Sequence, residues 1–131
     1  MDPAKLSAMP LFQDLHRREL EALGSHTDEL DLPEGKELVR EGDFGYEFFA
    51  IEEGSAEVRH GEDTLAELGP GDFFGEAALS GQARRNASVV ATSPLVAVVM
   101  TASAFRQMRR THPAVCDRIQ RAVAERAPAA G

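Results

Sequence analysis

The chain has one cysteine, Cys116. A single thiol excludes an internal disulfide and a multi-cysteine zinc site, and it fits a reducing, cytoplasmic setting. Long apolar runs are also lacking. None approaches the roughly 20 residues a membrane helix needs, so no membrane partner is expected. Met1-Asp2-Pro3-Ala4-Lys5 has no charged segment leading into an apolar one, and no secretory leader is read there. Basic charge is short: 14 Lys and Arg stand against 22 Asp and Glu, a formal net charge of −8. That argues against nucleic acid as a partner, because phosphate contacts need basic surface. The histidines, at 16, 26, 60 and 112, are scattered with no His-x-His pair. Neither Ser80 nor Ser88 has a histidine nearby or a Gly-x-Ser-x-Gly elbow around it, so serine nucleophile chemistry has no support.

What is present fits one domain over residues 1–131. The first 26 residues read as a helical segment. A short apolar stretch, Met9-Pro10-Leu11-Phe12, precedes a helix from His16 to Leu23 that Gly24 is placed to end. From 27 to 101 short apolar or alternating runs are separated by turn glycines at 35, 42, 54, 61, 69 and 71. This spacing predicts a β-sandwich or barrel rather than βαβ units. Pro33-Glu34-Gly35 and His60-Gly61-Glu62-Asp63 read as hairpin turns. Two further strands are expected at Asn86 to Thr92 and Leu95 to Met100. Residues 102–127 read as two helices hinged at His112-Pro113, since a residue before proline disfavours helix and proline suits a first turn. Val115, Ile119, Ala122 and Val123 form one buried stripe. The fold class expected is α+β: a β-roll with an N-terminal helix and two C-terminal helices packed on it.

Charge is uneven along the chain. Residues 1–101 hold 8 basic and 20 acidic side chains, and residues 102–131 hold 6 and 2. The basic tail docks on the acidic body, meets an acidic partner, or forms a solvated arginine face.

One stretch concentrates chemistry. Residues 71–89, from Gly71-Asp72 to Ser88-Val89, carry Gly75, the carboxylate Glu76 and, nine residues later, Arg85. A glycine at a helix start, a carboxylate beside it and an arginine suit a small anionic ligand. Small residues at Gly75, Ala77 and Ala78 let a ligand approach the backbone.

Gly75-Glu76-Ala77-Ala78-Leu79 through Arg85-Asn86-Ala87-Ser88-Val89 resembles the phosphate-binding cassette of cyclic nucleotide-binding domains, the type found in catabolite activators and protein kinase A regulatory subunits. Glu41-Gly42-Asp43 with Phe48-Phe49-Ala50-Ile51, and Gly69-Pro70-Gly71-Asp72-Phe73-Phe74, resemble that family's flanking motifs. The resemblance implies that Arg85 binds a phosphate oxygen, Glu76 the ribose 2′-hydroxyl with Gly75 nearby, and that Ala77 and Ala78 present backbone N–H groups to the phosphate. Asn86, with Ala87 behind it, stands where a side chain touches phosphate or base and bears on cyclic AMP against cyclic GMP. Arg84 replaces a common proline, and Tyr46 a common aspartate. The resemblance further implies a lid: the C-terminal helices move over the site, and Arg118, Ile119, Arg121 and Val123 are the candidates to cap the base.

The function expected is a cyclic nucleotide sensor, for cyclic AMP ahead of cyclic GMP. It has no catalysis, cofactor or metal of its own and signals to an effector protein or a fused domain. No helix-turn-helix or kinase pattern accompanies it, so it is read as stand-alone or as a regulatory domain of a longer chain. The alternatives are a degenerate scaffold of the same fold that binds no nucleotide and, more remotely, a cupin-like metalloenzyme.

Overall fold

Strand-forming runs in this sequence fall into two kinds, and the fold explains both. The computed structural model describes residues 1–80 and 83–125. Gly81 and Gln82 of the cassette stretch, and Arg126 and Ala127 of the expected C-terminal helices, lie outside them. Among the described residues the strands are β1 Asp28–Leu32, β2 Glu37–Val39, β3 Phe44–Gly45, β4 Glu47–Glu53 and β5 Ala56–His60. They continue with β6 Asp63–Leu68, β7 Phe73–Phe74, β8 Ala83–Arg84, β9 Ser88–Ala91 and β10 Leu95–Thr101. They form two four-stranded antiparallel sheets, β1-β10-β4-β7 and β2-β9-β5-β6, and a two-stranded ribbon β3-β8. This is the expected α+β plan of a β-roll with helices at both chain ends.

The central strands of the first sheet are covered on both faces. In β4, Phe49 and Ile51 point into the sandwich, while Phe48 and Ala50 point to the helices. In β10, Leu95, Ala97 and Val99 face inward, and Val98 and Met100 face the helices. A strand buried on both faces reads as a continuous apolar run, as Phe48-Phe49-Ala50-Ile51 does. Edge strand β1 instead alternates, with Leu30 and Leu32 packed inward and its acidic residues outward. Full burial of side chains this size stabilises by about 1.5–3 kcal/mol each.

One turn differs from expectation. His60 to Asp63 closes a true hairpin between β5 and β6. Pro33-Glu34-Gly35 does not: β1 pairs with β10 and β2 with β9, so this turn carries the chain from one sheet to the other. Turn residues such as Pro33-Glu34-Gly35 say that the chain reverses, not which strands then pair.

The N-terminal layer holds α1 Pro3–Ser7, a 3-10 turn at Pro10–Phe12, and α2 Arg17–Ser25. Helix α1 was not anticipated, although Asp2, whose carboxylate accepts from Ala4 N at 2.9 Å, followed by proline is a start signal. Gly24 does not end α2, which continues to Ser25. It is a contact glycine: the Met1 ammonium donates to its carbonyl at 2.6 Å, and a Cβ there would lie 2.5 Å from the Met1 carbonyl oxygen. Thr27 Oγ1 closes the helix end by donating to Leu23 O at 2.9 Å.

The C-terminal layer is α3 Ala102–Thr111 and α4 Pro113–Glu125, broken at His112 as expected. Thr101 Oγ1 caps α3 by accepting from Ala104 N at 3.0 Å. Arg109 joins the two helices, donating to Asp117 Oδ1 at 3.0 Å and Gln120 Oε1 at 2.6 Å. Among the described residues no helix is long and apolar enough to cross a membrane.

Where α1 meets the outer face of the first sheet, Lys5 Nζ lies 3.1 and 3.2 Å from the two Glu29 oxygens. Glu52 Oε2 is buried beside them with no donor among the described residues. Two carboxylates can hydrogen-bond only through a shared proton. Burial, then the hydrogen bond to Glu29 and its charge, push the Glu52 carboxyl from the ordinary 4.5 up to about 7. Glu29 is lowered by the Glu52 hydrogen bond and by Lys5. A carboxyl raised on folding binds its proton more tightly in the folded state. Its contribution is therefore fully present below pH 4.5 and is lost as pH rises through about 7. Thermal melts of wild type and Glu52→Gln across this range are expected to diverge, with the wild type falling behind as pH rises. Parallel curves would rule out the shared proton.

Candidate functional site

The two adjacent arginines leave the chain for different surroundings. Arg84 is exposed, donates through Nη1 to Gly42 O at 2.7 Å, and lies 4.4 Å over the half-exposed Phe44 ring. Arg85 is 6% exposed. Its main chain is held by the loop after β2, with Arg85 N donating to Asp43 O at 2.7 Å and Gly42 N to Arg85 O at 2.8 Å. Its Nη2 donates to Glu47 O at 2.6 Å. This separation fixes Arg85 as the buried cation of the cassette.

Two glycines make room for that guanidinium. A Cβ on Gly45 would lie 2.6 Å from Arg85 Nε and 2.7 Å from Cζ. A Cβ on Gly75 would lie 2.7 Å from Arg85 Nη1 and 2.5 Å from Glu47 O, and Gly75 has φ +79. The sequence reading included Gly75 but missed Gly45 and the Glu47 carbonyl. The available signal was a glycine inside a strand-like run, which marks close approach by another group. A main-chain acceptor leaves no such mark.

Glu76 opens the 3-10 turn Glu76–Ser80. The expected helix start is thus one short 3-10 stretch, whose dipole is small, and the charge of the site rests on Arg85. Ala78 is buried, and its N–H donates to Gly75 O at 3.1 Å, so this amide is engaged within the turn instead of standing open for a phosphate. Ala77 is half-buried, Asn86 exposed, and Ala87 buried in the sandwich core. Phe73 and Phe74 of β7 hold the turn from behind, with Phe74 stacked on Phe49 at 4.9 Å and Phe73 against Phe48 at 5.8 Å.

Two buried polar atoms here have no hydrogen-bond partner among the described residues: Arg85 Nη1 and Glu76 Oε2. Burial pushes the Arg85 guanidinium below its ordinary range, against the upward pull of the Glu47 and Glu76 charges. Burial raises the Glu76 carboxyl, against its own main-chain amide and Arg85. The cradle therefore offers one charged donor without an acceptor and one acceptor without a donor. Unmet, each costs about 1–3 kcal/mol or more.

The four expected lid residues gather elsewhere. Ile119 is 1% and Val123 8% exposed in the helical core with Leu11, Phe12 and Leu15. Arg118 Nη1 donates to Glu19 Oε1 at 2.7 Å. Arg121 lies exposed along a groove of about 400 Å³ between α4 and residues such as Asp14 and His16. The stripe that would cover a base is buried against the N-terminal layer, because that is where apolar surface meets it. The Glu76–Ser80 turn is packed instead by α3, and its Leu79 joins the core that holds Phe105 and Met108. Part of the basic tail thus docks on the body through Arg118, while Arg106, Arg110 and Arg121 are solvent-facing. Among the described residues no three of His, Cys, Asp and Glu form a group that could hold a metal ion.

The family model of the cyclic nucleotide-binding domain matches residues 29–112. The chain is 32% identical over 103 residues to a cAMP-dependent protein kinase regulatory subunit of Hypocrea atroviridis, covering 79% of this chain and 22% of that protein. It is 32% identical over 127 residues to the acetyltransferase Pat of Mycolicibacterium smegmatis, covering 94% of this chain and 38% of that enzyme. The chain thus spans well under half of either relative. The catabolite activator protein of Thermus thermophilus superposes with a TM-score of 0.76 at 29% identity, over 89% of this chain and 57% of that one. With the fold, the cassette and the family match in agreement, this chain belongs to the cyclic nucleotide-binding domain family.

Proposed function

We propose that the domain binds a 3′,5′-cyclic nucleotide, cyclic AMP in preference to cyclic GMP, and reports occupancy through its C-terminal helices without catalysis of its own. The observation that carries this is the pair of buried, unpartnered atoms, Arg85 Nη1 and Glu76 Oε2. A cyclic phosphate supplies the anion and the ribose 2′-hydroxyl the donor, so one ligand satisfies both. Gly75 and Ala77 line the approach, and Asn86, with Ala87 fixing its backbone, stands at the rim. Similarity to a cAMP-dependent kinase subunit supports adenine over guanine. Contact of the turn with α3 supports transmission, since a shift at Leu79 is felt by Phe105 and Met108 in the same core. The output passes to an effector protein or a fused domain in the cytoplasm. The scaffold alternative fits less well, because a domain without a ligand would keep a buried, underpaired arginine at a standing cost.

Calorimetric titration with cyclic AMP, cyclic GMP and 2′-deoxy cyclic AMP tests this. Cyclic AMP is expected to bind most tightly. Glu76→Gln is expected to weaken cyclic AMP by about tenfold and the deoxy analogue hardly at all, one charge-assisted hydrogen bond being about 1.5–3 kcal/mol. No heat with either cyclic nucleotide would favour the scaffold.

A further inference from the structure

Glu19 Oε1 accepts from two donors. One is His16 N at 2.8 Å, which starts α2, and the other is Arg118 Nη1 at 2.7 Å, which comes from α4. Arg118 Nη1 also lies 3.5 Å from Asp14 O. The Glu19 side chain is 16% exposed and that of Arg118 38%, so the pair is partly shielded from solvent. Ile119, next to Arg118 in the chain, and Val123, one turn beyond Ile119, are buried in the same core as Leu11 and Leu15. The side chains that would cover a bound base are therefore already committed, two by apolar burial and one by an ion pair, to the N-terminal layer.

We propose that the Glu19–Arg118 pair is an autoinhibitory latch. It holds α4 against residues 11–20, in competition with closure of α4 over the ligand. This rests on the reading of the site given above and concerns its regulation. An ion pair made only in the open arrangement stabilises that arrangement. A ligand that needs the closed one binds more weakly by the same factor. Glu19 is suited to the role because the oxygen that holds α4 is itself fixed by the start of α2, so little side-chain freedom is lost when the pair forms.

The test uses Glu19→Gln, which keeps an acceptor for the α2 start but removes the charge. Glu21→Gln, which removes the same charge from an exposed pair with Arg17 on the same helix, is the control. Two measurements are made on each protein: hydrogen exchange of the 114–125 amides without nucleotide, and cyclic AMP affinity. Glu19→Gln is expected to speed exchange in α4, leave β4 and β10 unchanged, and tighten cyclic AMP by about two- to fivefold, the scale of one partly shielded pair. Glu21→Gln is expected to do neither. Unchanged exchange in α4, or equal affinity in the two variants, overturns the latch while leaving nucleotide binding intact. Absence of binding in the wild type overturns the reading of the site, and the competition with it, whatever exchange shows.

Discussion

Arg85→Leu is expected to abolish high-affinity nucleotide binding while the fold survives. The two consequences separate because the arginine is poorly paired inside the protein. Its partners there are the Glu47 carbonyl and the loop that fixes its main chain; among the described residues Nη1 meets no acceptor. Leucine retains part of the packing volume and removes a buried charge, which offsets the unpaired carbonyl left on Glu47 at about 1–3 kcal/mol. Net destabilisation is expected to stay under about 2 kcal/mol. The ligand, by contrast, loses its charge-assisted contact. One such bond, at about 1.5–3 kcal/mol, amounts to a loss of about 10- to 100-fold, and a second multiplies it. Urea denaturation and calorimetry on one preparation measure both. Retained affinity would sink the anion site, and a collapse of stability would make Arg85 a structural residue first.

The second large effect falls on stability. Gly75→Ala is expected to cost about 2–5 kcal/mol. Left-handed backbone in alanine accounts for about 1–2 kcal/mol, and forcing a methyl into packed surroundings adds about 1–3. The obstruction is the Glu47 carbonyl at 2.5 Å, which is main chain and not the far end of a flexible side chain. Gly71→Ala is the natural comparison. Gly71 has φ +91, but the nearest obstacle to a Cβ is the Pro10 ring at 3.6 Å, an ordinary contact. Only the conformational part should appear there. Equal losses at the two positions would show that the clash is relieved. Because Glu47 O is also the acceptor for Arg85 Nη2, Gly75→Ala should weaken nucleotide binding as well.

The architecture was legible because burial leaves periodic traces. Phe48-Phe49-Ala50-Ile51 announces a strand covered on both faces, and His112-Pro113 announces a break, since proline chemistry is local. What was not legible depends on partners distant in the chain. Gly24 looks like a helix terminator, yet its role is set by Met1 arriving 23 residues away. Pro33-Glu34-Gly35 looks like a hairpin until β10 and β9 claim its two flanking strands. In the candidate site, Glu76 and Arg85 could be singled out because side chains carry their chemistry in their names. Gly45 and the Glu47 carbonyl could not, because one contributes empty space and the other an oxygen that every residue has. Of the stripe Val115, Ile119, Ala122 and Val123, all but the half-buried Ala122 are buried, but periodicity does not say under what, and the stripe lies under the N-terminal layer.

The space left by Gly45 and Gly75 bears on how relatives of this domain should be sorted. A chain that keeps both the carboxylate and the arginine would ordinarily be counted as a binder. Here two single-base changes, each adding one methyl and touching neither charged residue, would push the guanidinium off its seat. Descendants of such a domain can fall silent by gaining atoms, and the positions to inspect first in a divergent copy are the two glycines.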